Sequence, residues 1–337
     1  MLLVVLAALV LALLGTYLAA PAEAATFKPG FGMGSATECT RTISSGSIEA
    51  AANSLSPGGV LCLRGGIYSE SDRSITISTS GTATSPKKIK AYPGERAEIR
   101  SSFRFSTRGV SHWVIEGVFV DASYAPTRTT GHGVNTEQAL SFHASSDIII
   151  DSVELINRRP NLDRDLAGTC VFLSGSPNTT NITIQNSSIH QCGQLPRTNH
   201  EHCIYASGAT DLTVSNSWIY DCADRSIQLY PDANGSSIVG NLVDSDHQNG
   251  ISLSDDADNN VIRNNVVDTP YGDTIYTGQT YSGSGNVVKD NCVWDTGTRL
   301  ASNVTASGNI LADPRISGYT VTNATCAAKL PTGSSFR

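Results

Sequence analysis

The chain has 337 residues, 39% of them hydrophobic and only 16% charged. So few charges exclude the ion-paired faces of helical bundles and coiled coils, and suit short strands with tight turns. The net charge of −7 becomes −6 (−7 + 1) once a leader whose only charge is Glu23 is set aside. No basic stripe exists to release counterions, so nucleic acid is not an expected partner. A local cleft can still be basic on an acidic protein, which leaves an acidic polysaccharide open.

Met1–Ala20 is an apolar run followed by Ala22-Glu23-Ala24, a small-residue cleavage site. Residues 1–24 therefore read as a secretory signal peptide, although no Lys or Arg precedes the apolar run. No later stretch is long enough to span a bilayer, so the mature chain is expected to be exported, free of the membrane and monomeric. Residues 25–60 form an N-terminal cap. Within it Ser47–Leu55 (SIEAAANSL) is a short helix with a Ser cap and Glu in its first turn. An open solenoid end would expose core and strand edges, so a capping helix is expected there.

Residues 61–317 are a solenoid, and 318–337 a tail that wraps or caps its last turn. GGVLCLRGGIYSE and KKIKAYPGERAEI open it; SHWVIEGVFVD, SSDIIIDSVELIN and TTNITIQNSSIHQC follow at about 35-residue spacing. These early coils are larger than the later ones, so loops project at Asp121–Gln138 and Asn157–Gly168. From Asn199 three strand-like runs recur: HCIYAS at His202, SIQLYP at Ser226 and GISLSD at Gly250. Asn216, Asn241 and Asn265 close the units, 25 and 24 residues apart. Self-similarity at this period marks repeats that bury a core by stacking. The pattern predicts an all-β chain: a single-stranded right-handed parallel β-helix with a short N-terminal capping helix.

Eight cysteines in an exported chain favour disulfides. Cys39 and Cys62 flank the helix and staple the cap. Cys192 and Cys222 share the 30-residue offset of Asn186 and Asn216, which places them on adjacent coils and predicts a bridge. Cys170 and Cys203 stack in the same way but point inward, as a bridge or as two buried thiols. Cys292–Cys326 is the remaining pair. No CxxC occurs, so zinc is not expected.

The opening GGVLCLRGGIYSE…SPKKIKAYPGERAEI…HWVIEGVFVD resembles the N-terminal coils of the pectate-lyase-like β-helix superfamily. That superfamily includes polysaccharide lyases, mannuronan epimerases and some glycoside hydrolases. The resemblance implies a fold and a carbohydrate substrate; chemistry must be argued from the site.

Strand alternation places Cys203, Tyr205, Ile227, Leu229, Ile251 and Leu253 inside. The outward columns become His202–Ser226–Gly250, Ile204–Gln228–Ser252 and Ala206–Tyr230–Ser254. In this register His200 faces Asp224, and Glu201 faces Arg225. A carboxylate beside an imidazole suits a general base, so His202 or His200 is the candidate base. Tyr230 is the proton donor to a leaving oxygen, and Arg225 the partner of a uronate carboxylate. Glu201 and Asp224 orient them; Gln228, His247, Arg197 and His143 are candidate substrate contacts, with His143 about three coils from Tyr230. Arg158, Arg159 and Arg164 are further candidates to line a groove for an anionic chain. No cofactor is called for except calcium, whose candidate ligands are Asp255, Asp256 and Asp258.

The expected function is cleavage of an acidic, uronate-containing polysaccharide by β-elimination. One alternative is a glycoside hydrolase using Asp224 with Glu201 or Asp232. Gly131-His132-Gly133 and Asp255-Asp256 match pieces of the polygalacturonase pattern, but in reversed order. The other alternative is a non-catalytic glycan-binding or cell-surface module, which would display an outward aromatic ladder; the alignment contains none. The central coils hold no Lys, a common base of related lyases, and the glutamate-rich motif of the alginate and dermatan lyase family is missing.

Overall fold

The computed structural model describes residues 25–26, 34–70, 74–105, 109–125, 127–130, 133–136, 138–158, 168–176, 178–197, 199–245 and 247–332. The leader, Arg159, Arg164, Gly131 and His132 lie outside the described residues. Among the described residues no helix is long and apolar enough to cross a membrane.

Three long sheets of ten, nine and eleven strands run the length of the molecule. Each coil contributes one strand to each sheet, and every pairing within the three is parallel, as between Ile204–Ser207 and Ile227–Leu229. This is a parallel β-helix. The inward positions of the strands in the central coils are apolar and fully buried. On the nine-stranded sheet Phe103, Leu140, Val171, Ile204, Ile227, Ile251 and Ile275 stack in one inner column, all fully buried. Phe105 and Phe142 stack in a second column, rings parallel within 8° and centroids 4.9 Å apart. The helix Ile48–Asn53 sits at the N-terminal end, with Ser47 as its cap and Ile48, Ala51 and Ala52 in the core.

At two corners the core becomes polar. Asn241, Asn265 and Asn291 are fully buried and stacked coil upon coil. Asn241 donates from its backbone N–H and from Nδ2 to Asn265 Oδ1, both at 3.0 Å; Asn265 repeats both bonds to Asn291 Oδ1 at 3.0 Å. Asn260 and Asn286 form a shorter ladder at the next corner. The residue before each rung is left-handed: Asn216, Gly240 and Asn264 have φ of 47°, 69° and 55°. Strand pairing equates Trp218, Leu242 and Val266, so Ser217, not Asn216, is the rung equivalent to Asn241. The asparagine spacing read from sequence thus joined two adjacent columns. Both favour asparagine, one for its amide and one for its tolerance of positive φ.

Four disulfides are present, and two differ from expectation. Cys39–Cys62 and Cys292–Cys326 form as expected. Cys192 and Cys222 do occupy paired positions on adjacent strands. They bond instead to Cys170 and Cys203, closing each coil on itself with Cα separations of 5.5 Å. Stacked residues of parallel strands point their Cβ atoms in the same direction, whereas inward residues on two different sheets converge, as a disulfide requires. No free thiol remains among the described residues.

The expected projection at Asp121–Gln138 contains an antiparallel hairpin, Thr127–Thr130 with Gly133–Thr136. Beyond Gly318 the chain lies against the outer face of the ten-stranded sheet. There Val321, Cys326 and Leu330 cover Trp218, Leu242 and Val266.

Removing a rung leaves buried donors unpaired, whereas removing a left-handed side chain does not. Asn265→Ala should lower the unfolding free energy by about 3 kcal/mol, and Asn264→Gly should change it by less than about 0.5 kcal/mol. Urea denaturation of the two variants checks this directly.

Candidate active site

The outer face of the nine-stranded sheet carries a cleft of about 480 Å³ lined by His200, His202, Arg225, Gln228 and Tyr230, together with Tyr205, Tyr276 and Arg299. Its residues come from successive coils, brought together by strand register. Ile204 pairs with Ile227, Tyr205 with Gln228, Gln228 with Ser252, and Ser252 with Tyr276. The first two of these steps are 23 residues, one fewer than the 24 of the last two. The expected register was therefore one residue out in the first coil, and a one-residue slip exchanges the two faces of a strand. Ile204 points inward and is fully buried, and Tyr205 faces the cleft. The expected Glu201–Arg225 and His200–Asp224 pairs do not form in this register; Asp224 donates its backbone N–H to Glu201 O instead.

Arg225 is clamped on three sides. Nη1 donates to Asp224 Oδ2 at 2.8 Å and to Asn199 Oδ1 at 2.9 Å, and Nε donates to the Tyr276 hydroxyl at 2.6 Å. Asn249 Nδ2 donates to the same hydroxyl at 3.1 Å. Burial works against the guanidinium charge, but Asp224 and Tyr276 outweigh it and hold Arg225 above the ordinary range. Asp224 is fully buried and also lies 3.3 Å from Arg197 Nη1. Burial raises its carboxyl against the opposing pull of Arg225 and Arg197.

His202 is 1% exposed, its Nδ1 3.4 Å from Asp224 Oδ2. Burial, reinforced by Arg225, His200 and Arg197, drives its pKa well below 6.5. The imidazole is thus neutral at neutral pH, with the Asp224 carboxylate behind it and Gln228 hydrogen-bonded to it. Its ring meets Tyr205 edge-on at 5.1 Å, and Tyr205 stacks with Tyr230 at 6.5 Å. Burial pushes the Tyr205 hydroxyl up.

The other expected residues are dispersed. Glu201 is fully buried, and its Oε2 accepts from the His200 backbone N–H at 3.1 Å. Asp232 is an exposed left-handed turn residue, φ 50°, outside the cleft lining. His247 is drawn away by Asp221, 2.9 Å from Nε2, which Arg158 also contacts. His143 lies on the same sheet two coils before Tyr205, paired with Ser174. Asp256 and Asp258 accept from Ser282 and Ser284 of the next coil. Asp255, Asp256 and Asp258 do not converge; among the described residues no three His, Cys, Asp or Glu side chains form a metal-holding group.

Tyr205, Tyr276 and Arg299 were missed. Correct register in the first coil would have exposed Tyr205, and extending the 24-residue step once more reaches Tyr276 in Ile275–Thr277. The expected lack of outward aromatics is also overturned: Phe172 pairs with Tyr205 on the outer face, their centroids 5.6 Å apart.

The family model described as the right handed beta helix region matches residues 116–311, more than half of the chain. A search of the curated proteins found no match. Among solved structures, a polygalacturonase from Erwinia carotovora ssp. carotovora is similar at a TM-score of 0.53 and 13% identity, over 82% of this chain and 93% of that one. An alginate lyase from Paenibacillus sp. str. FPU-7 is similar at a TM-score of 0.51 and 14% identity, over 82% of this chain and 100% of that one. Identities this low show a shared fold, in keeping with the resemblance of the opening coils to pectate-lyase-like β-helices. The chain belongs to the family of the right handed beta helix region.

Proposed function

We propose that this chain is an exported carbohydrate-active enzyme that cleaves a uronate-containing polysaccharide by β-elimination. The observation that carries this reading is the composition of the cleft wall. It presents two histidines, two arginines and three tyrosines, and no carboxylate among its described lining residues. Asp224 and Glu201 sit behind that wall, fully buried. A hydrolase needs two carboxylates flanking the scissile bond; an elimination needs a base, a carboxylate neutraliser and a proton donor. The two similar solved structures are named as an alginate lyase and a polygalacturonase, which fits a polysaccharide substrate.

In the proposed reaction the uronate carboxylate pairs with Arg225, which makes the C5 proton more acidic. The neutral His202 imidazole takes that proton. The electron pair forms the C4–C5 double bond, the C4–O4 bond breaks, and Tyr230 passes its hydroxyl proton to the departing O4. Arg225 keeps its aim because Asp224 holds it from behind and Asn199 and Tyr276 hold it from the sides. No step draws on calcium.

Absorbance of unsaturated uronyl ends should appear when the chain is incubated with a panel of polyuronates and glycosaminoglycans. His202→Ala should reduce the rate about 10²–10⁴-fold, and Arg225→Lys, which loses the planar fork, about 10²-fold. Reducing ends without that absorbance would assign the cleft to hydrolysis.

The pH profile gives a second test. His202 is driven below 6.5, so its base form persists as pH falls through that value. The acid limb of kcat/KM should therefore lie below pH 6.5; a limb at or above it contradicts His202 as base.

A further inference from the structure

The outer column of the nine-stranded sheet continues well past the cleft. Register links Arg104, Ser141, Phe172 and Tyr205 on one side, then Gln228, Ser252, Tyr276 and Arg299 on the other. Adjacent strands lie about 4.8 Å apart, so the seven steps from Arg104 to Arg299 cover about 34 Å. A 1,4-linked pyranose advances a chain by nearly the same distance as one strand step. The row is therefore commensurate with one sugar per coil.

Its chemistry is ordered along that length. Arginines stand at both ends, and the stretch before Arg225 is aromatic. Phe172 is half-buried, its ring edge-on to Tyr205 at 5.6 Å and tilted against His143 at 5.8 Å. Burial and then Arg104 hold His143 below the ordinary histidine range, so it presents a neutral ring beside Phe172. Aromatic faces take the C–H side of a pyranose, and guanidinium groups take its carboxylate.

We infer that Phe172 and Arg104 extend the cleft into a binding subsite for the same acidic glycan, with Phe172 stacking on a ring one strand step from Tyr205 and Arg104 pairing with a uronate three steps from it. The inference rests on the proposed substrate class but not on the elimination chemistry. It makes the chain an internal binder of long polymers, whose affinity grows with substrate length.

The test uses α-1,4-galacturonate and β-1,4-mannuronate oligomers from disaccharide to octasaccharide, together with electrophoresis in gels cast with polygalacturonate or alginate. kcat/KM should climb from trisaccharide to hexasaccharide. Phe172→Ala and Arg104→Gln should each flatten that climb, lowering the hexasaccharide value about tenfold, mainly through KM. Both variants should migrate faster than the parent chain in polymer gels and equally in plain gels, while Phe172→Trp keeps the retardation. Equal losses on trisaccharide and hexasaccharide, or a parent chain that no polymer retards, would overturn the subsite. Retardation without elimination supports it and removes the proposed reaction instead; elimination without length dependence does the reverse.

Discussion

The structure depends on register: each coil must sit directly above its neighbour, one strand spacing away, for any column of side chains to exist. Apolar alternation alone does not fix that register completely, because a shift of two residues returns each side chain to the same face. The buried asparagine ladders do set it. Each rung donates twice to the oxygen of the next coil, and a shift of one residue would strand those amides without partners in the core. The disulfides act within coils, Cys170 to Cys192 in the coil before the cleft and Cys203 to Cys222 in its first coil. Together they make the outer face a rigid ruler.

The cleft follows from that ruler. Its side chains are far apart in sequence and come together only because their strands stack. Arg225 lies 51 residues from Tyr276, yet donates to its hydroxyl at 2.6 Å. Behind Arg225 and His202 lies one buried carboxylate, Asp224, serving both. Its position settles two properties at once: the guanidinium is held in place, and the imidazole has an anion behind it without being charged. Burial keeps the His202 imidazole uncharged, and Arg225 and Arg197 nearby also oppose its protonation.

Much of this was legible in the sequence. The period of 24 residues, the small-polar turns and the inward β-branched residues give a parallel β-helix, and the clustering of His200, His202, Arg225 and Tyr230 marks the cleft. What was not legible follows from a single coil of odd length. The step from Ile204 to Ile227 is 23 residues, and that one-residue difference hid Tyr205, misassigned Ile204 and suggested a Glu201–Arg225 pair. The same kind of offset made Asn216 look like a rung of the ladder. Periodicity reports the average coil; only pairing reports the individual one. The disulfides escaped for a geometric reason, since spacing along the solenoid says nothing about which way a Cβ points.

The central claim is that bond cleavage in this cleft is an elimination. Weighing the oligomers released from a polyuronate decides it. Elimination adds no water, so each fragment with a new non-reducing end should carry an unsaturated end and be lighter by one water than the saturated oligomer. Saturated ends, with one water gained per bond broken, would contradict the account and require carboxylates to act where the described cleft wall shows none.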